Sequence, residues 1–121
     1  MDHTTALDLA VLAEYVGNDP AELQRFIRLG EQSLRQTLAP LDAALQTLDL
    51  SSLQTCGHRA KSTARHLGAR VFGDQCKALE CAARAGNTVQ ATHHGQWLLA
   101  SRESLLQALE HAGRERGDSA R

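Results

Sequence analysis

The chain has 121 residues, 42% of them hydrophobic and 3% aromatic, with 13 Lys and Arg against 14 Asp and Glu for a formal net charge of −1. That length makes one domain around one core, and moderate hydrophobicity with almost no net charge excludes a disordered chain. There is no basic excess of the kind that holds a duplex, so no nucleic-acid partner is expected. No run reaches the ~18 apolar residues of a membrane span, and the N-terminal MDHTTALDLA has neither the basic flank nor the apolar run of a secretory signal; a cytoplasmic domain without membrane contact of its own is expected.

The residues predict an all-α chain, because Ala and Leu dominate, strand formers are scarce, and only Pro20 and Pro40 interrupt long segments. A short first helix is expected over about Thr5 to Val16, with Leu7, Ala10, Val11 and Tyr15 as its stripe and Gly17-Asn18 as its end. Asp19-Pro20 reads as a cap followed by a first-turn proline. Leu23, Ile27, Leu34, Leu38, Leu41, Leu45 and Leu48 then recur at helical spacing, with Pro40 bending this helix rather than ending it. A third helix starts at about Ser51 as cap, with Leu53, Gly57, Ala60, Ala64 and Leu67 inward and Gly68 as its stop. The fourth carries Phe72, Cys76, Leu79 and Ala83 and stops at Gly86-Asn87. The last begins near Thr88 and carries Ala91, Leu98, Leu105, Leu109 and Ala112, after which GRERGDSAR is expected to fray. Loops of two to five residues make neighbours antiparallel, so the expected architecture is an up-down four-helix bundle with a short N-terminal helix, its core over about 5–112 and its tail over 113–121.

Cys56, Cys76 and Cys81 are odd in number and form no Cys-x-x-Cys pair, so they are expected reduced and half-buried rather than in a disulfide or zinc site. Trp97 is expected to pack in or near the core.

Residues 56–69, CGHRAKSTARHLGA, carry the chemistry. With the stripe of Leu53, Gly57, Ala60, Ala64 and Leu67 inward, His58 points outward, Ser62 and Arg65 share its face, and Lys61 flanks it one turn on. The 24 residues from Leu50 to Gly73 hold Arg59, Lys61, Arg65 and Arg70 and no acid, so a near-neutral chain gathers a positive face around one exposed imidazole. Cations late in a helix also complement its dipole, and a surface histidine is by itself ordinary.

The segment resembles the phosphorylation motif of histidine-containing phosphotransfer (HPt) domains of bacterial phosphorelays: His, any residue, Leu, Lys, Gly, five residues, Gly, Ala. His58, Lys61, Gly68 and Ala69 match at the right spacing; Ala60 replaces the usual Leu and Ser62 the usual Gly. LAEYVGNDPAELQRFI resembles the family's entry into its second helix and Ala85-Gly86-Asn87 its turn into the last, so the likeness spans about residues 7–112.

The resemblance implies a phosphocarrier without an ATP site of its own. His58 would take a phosphoryl group from a receiver-domain phosphoaspartate and pass it to another receiver aspartate. Lys61 would offset phosphoryl charge, and Arg59, Ser62, Arg65 and Arg70 would face the partner. It also implies a monomer with no cofactor of its own, magnesium residing on the receiver. A free-standing shuttle and the terminal domain of a hybrid sensor kinase, whose parent chain is membrane-anchored, fit alike.

Other readings fit less well. Arg59 follows His58 where an autophosphorylating kinase hairpin has an acid, and no Gly-rich nucleotide loop is present. A di-iron bundle needs Glu-x-x-His pairs, of which there are none, and adjacent His93 and His94 diverge on a helix. His66 lies on the outer side of the motif helix off the motif spacing, and His3 and His111 lie near the ends. A helical adaptor that docks on a receiver without phosphotransfer is the alternative, and the presence of both His58 and Lys61 weighs against it.

Overall fold

The computed structural model describes residues 7–119. Its elements are helices: α1 (Leu9–Val16), α2 (Pro20–Leu38), α3 (Leu41–Thr47), α4 (Leu50–His66), α5 (Arg70–Arg84) and α6 (Thr88–Ser119). The expected start of the first helix at Thr5, like His3, lies outside the described residues.

Aspartates start three of them. Asp8, Asp19 and Asp49 each sit in extended backbone and accept a hydrogen bond from an amide of the first turn, which neutralises donors that the helix cannot use internally. Asp49 therefore takes the capping role expected of Ser51, accepting from both the Ser52 amide and its hydroxyl. These bonds hold its carboxyl below the usual carboxylate range.

Pro40 does more than bend a helix. Its nitrogen has no hydrogen for the Gln36 carbonyl, which the Ala39 amide takes instead at 3.4 Å. Ala39 and Pro40 stay in right-handed backbone, and α3 restarts at once with the Ala44 amide on the Pro40 carbonyl. The single helix expected here is thus two, separated by an interruption of the ladder.

The end of the chain also differs from expectation. The tail beginning at Gly113 was expected to fray, but α6 runs on to Ser119. Gly113 is buried against Ile27 and Arg28 of α2, where its lack of a side chain serves packing, and Glu110 pairs with Arg114 across it at 3.2 Å.

Leu23, Ile27 and Leu34 of α2 meet the leucine stripe of α6 in a core that also takes Leu53, Phe72 and Leu79 from α4 and α5. Ala60, Ala64 and Cys76 are fully buried, and the predicted stripes of α2, α4, α5 and α6 face inward. Leu48, however, is exposed just beyond α3, and in α1 Leu12 and Val16 pack on the core while Ala10 and Tyr15 of the predicted stripe are exposed. Trp97 is half-buried with its ring 6.0 Å from that of Phe72.

Candidate functional site: a histidine held by a buried carboxylate

The site begins with glycine. A Cβ on Gly57 would stand 2.5 Å from the Cys76 carbonyl oxygen and 3.0 Å from the Glu80 amide, and one on Gly73 would stand 2.7 Å from the Arg65 side chain. Glycine at both places lets α4 and α5 approach backbone to backbone, and these pairings run in opposite directions along the two helices. The turn between them needs a third glycine. Gly68 adopts φ +80°, and the backbone of Asp8 rests on it, with the Asp8 amide donating to the Gly68 carbonyl at 2.9 Å.

This close approach brings Glu80 beside His58. The His58 side chain is 65% exposed, while the Glu80 carboxylate, 3% exposed, lies beneath it. Glu80 Oε2 stands 2.6 Å from His58 Nδ1 and accepts from Arg84 at 2.9 Å; Oε1 accepts from Lys61 Nζ at 2.6 Å. Lys61 above all, and then His58, hold the Glu80 carboxyl below the usual carboxylate range, against the upward push of burial. An ionised carboxylate only accepts hydrogen bonds, so the proton of this contact belongs to Nδ1. The Nε2 of a neutral His58 then carries the lone pair and faces solvent.

The structure thus joins His58 and Lys61, as their spacing predicts, through a residue that sequence reasoning missed. The stretch around the histidine is free of acids along the chain but not in space, because α5 delivers Glu80. The second acid delivered is Asp74, which Arg65 Nη2 contacts at 3.1 Å, so Arg65 is partly neutralised rather than a free cation. Arg59 and Arg70 are exposed and make no ion pair among the described residues. Arg70 opens α5, where the helix dipole disfavours a cation, so dipole complementarity does not explain it. Ser62 is exposed on the His58 side of α4.

Beyond Arg65 the site grades into a cleft of about 720 Å³ lined by Val11, Tyr15, Arg65, Arg70, Val71 and Asp74. Tyr15 and Val71 are exposed there, and the Tyr15 ring lies 4.4 Å from that of His66. This surface combines apolar side chains with two arginines and two aspartates, Asp8 and Asp74, of which Asp74 is paired with Arg65.

No family model, curated protein or solved structure matches the chain.

The other candidate groups lie apart. The His93 and His94 rings meet edge to face, and His94 Nδ1 pairs with Gln75 Oε1 at 2.7 Å, its burial lowering its pKa. Cys56 and Cys76 are buried more completely than expected and Cys81 is exposed; burial pushes the Cys76 thiol up to about 12 and Cys56 upward as well, which keeps both protonated. Among the described residues no three His, Cys, Asp or Glu side chains converge as metal ligands, and no helix is long and apolar enough to cross a membrane.

Proposed function

We propose that the chain is a phosphocarrier of a two-component phosphorelay, with His58 as the residue that carries the phosphoryl group. The observation that supports this best is the exposed imidazole whose Nδ1 is fixed by a buried, ionised Glu80. Outward-facing, unprotonated nitrogen is what a nucleophile requires, and the carboxylate supplies it without any change of tautomer.

The lone pair of Nε2 attacks phosphorus of an aspartyl phosphate as the P–O bond to the aspartate breaks, and the aspartate carboxylate leaves with the bonding electrons. The ring gains positive charge, which is shared with Glu80 through the Nδ1 hydrogen. Lys61, already 2.6 Å from Glu80, lies one turn from the incoming group and swings its flexible ammonium toward the phosphoryl oxygens. The reverse sequence returns the group to a second aspartate. Both Glu80 oxygens are engaged by His58 and cations, so magnesium and the acids that hold it are assigned to the receiver partner.

In this reading α2–α3, α4, α5 and α6 form an antiparallel up-down bundle with α1 as the extra short helix, and the chain acts as a monomer. The receiver docks over the cleft, its acidic pocket drawn by Arg59 and Arg70 and its apolar surface meeting Tyr15 and Val71. The Lys61–Glu80–His58 arrangement favours this over the adaptor reading, because docking alone has no use for a fixed tautomer.

The test is labelling. A receiver domain phosphorylated on its aspartate with acetyl phosphate transfers an acid-labile, base-stable phosphate to the chain, located at His58 by mass spectrometry. Equal labelling of His58→Gln would end the proposal.

A further inference from the structure

We propose that Ser62 is a phosphoryl-positioning residue: its hydroxyl donates a hydrogen bond to a phosphoryl oxygen once His58 is phosphorylated on Nε2. This rests on the phosphocarrier reading and extends it to a residue that replaces the family's usual glycine.

Three observations meet at this position. Ser62 lies four residues after His58, which places the two side chains on adjacent turns of one face, and helical side chains lean toward the N-terminus, so Ser62 leans toward His58. The ring is anchored sideways. Gly57 and Lys61 face α5, and Nδ1 is tied to Glu80 on that helix. The two ring nitrogens of an imidazole point their hydrogen and lone pair in divergent directions, so fixing Nδ1 toward α5 turns Nε2 outward and away from it. Ser62 lies on the far side of His58 from Lys61, so a group on Nε2 falls between a cation and a hydroxyl.

The hydroxyl is also uncommitted. Thr47 and Thr55 spend theirs on the carbonyl four residues back, each at 3.0 Å. Ser62 is exposed and makes no such bond among the described residues. A hydrogen bond to an ionised oxygen is stronger than one between neutral groups, so the hydroxyl gains a partner only when the phosphoryl arrives. Because the transition state for phosphoryl loss is loose and metaphosphate-like, the peripheral oxygens are more negative before the reaction than during it. A donor to them therefore stabilises phosphorylated His58 and slows its decay.

The experiment loads the whole chain with potassium phosphoramidate, removes the donor, and follows phosphohistidine loss by ³¹P NMR at constant pH. Ser62→Ala and Ser62→Gly each shorten the half-life about threefold to tenfold, and Ser62→Thr, which keeps the hydroxyl, restores it to within about twofold. Because Ser62 is exposed, circular dichroism confirms that the alanine variant remains folded. A wild-type half-life in Ser62→Ala overturns the proposal. So does faster decay in Ser62→Gly alone, which traces the effect to the backbone. Failure of the native chain to take phosphate at His58 overturns the phosphocarrier reading itself, a separate outcome visible before any decay is measured.

Discussion

The α4–α5 contact and the α2–α6 contact are built on opposite principles. Leu23, Ile27 and Leu34 of α2 face the leucines of α6, a layer of large aliphatic side chains that removes much apolar surface from water. Between α4 and α5 the closest approaches are made by glycines, Gly57 against Cys76 and Glu80 and Gly73 against the Lys61 backbone and Arg65. Small residues bury less area but bring two backbones together, so a side chain as short as Glu80 spans from one helix to an imidazole on the other. The leucine contact supplies stability, and the glycine contact supplies position.

The largest effect expected from this contrast is on the leucine side. Leu105→Ala leaves a cavity and costs about 2–5 kcal/mol in chemical denaturation, while the His58 tautomer, read from the imidazole ¹⁵N shifts of the remaining folded protein, does not change. Gly57→Ala forces a methyl against the Cys76 carbonyl and costs about 1–3 kcal/mol, yet it disturbs those shifts because it moves Glu80. If Leu105→Ala perturbs the tautomer more than Gly57→Ala does, the division of labour is wrong.

The smallest effect is on acid stability. Folding holds the Glu80 carboxyl below its ordinary 4.5. Its contribution is fully present above that value and is lost as pH falls through the lower folded value. The native chain therefore loses stability below about pH 4.5, and Glu80→Gln, which cannot titrate, loses less over the same range. Superimposable acid profiles would show that the carboxylate is not held as described.

The contrast also explains what could be read along the chain. Leucines at threes and fours announce their helices without help from any other segment, so the stripes of α2 and α6 were legible, and so was the outward direction of His58. Glu80 was not, because its role depends on how closely α5 approaches α4, which is a property of two helices. A signal did exist: Glu80 follows Cys76 by four and precedes Ala83 by three, so an acid occupies the buried stripe of α5, with Arg84 one turn beyond. A charge on an apolar stripe demands a partner from another helix. Arg65 misled for the related reason that Asp74, nine residues on, is folded back beside it. The tail from Gly113 was expected to fray as chain ends commonly do, whereas here the small size of that glycine lets α2 pack against a helix that continues.

The bond from the Asp8 amide to the Gly68 carbonyl has a kinetic consequence. It joins points far apart along the chain, while α4 and α5 meet through a turn of three residues, Leu67 to Ala69. Closing a long loop costs more entropy than closing a short one, so the α4–α5 hairpin assembles early and α1 docks onto a turn that already exists. On unfolding the order reverses: α1 detaches first, and the Asp8 amide exchanges with solvent deuterium before the amides of α4 do.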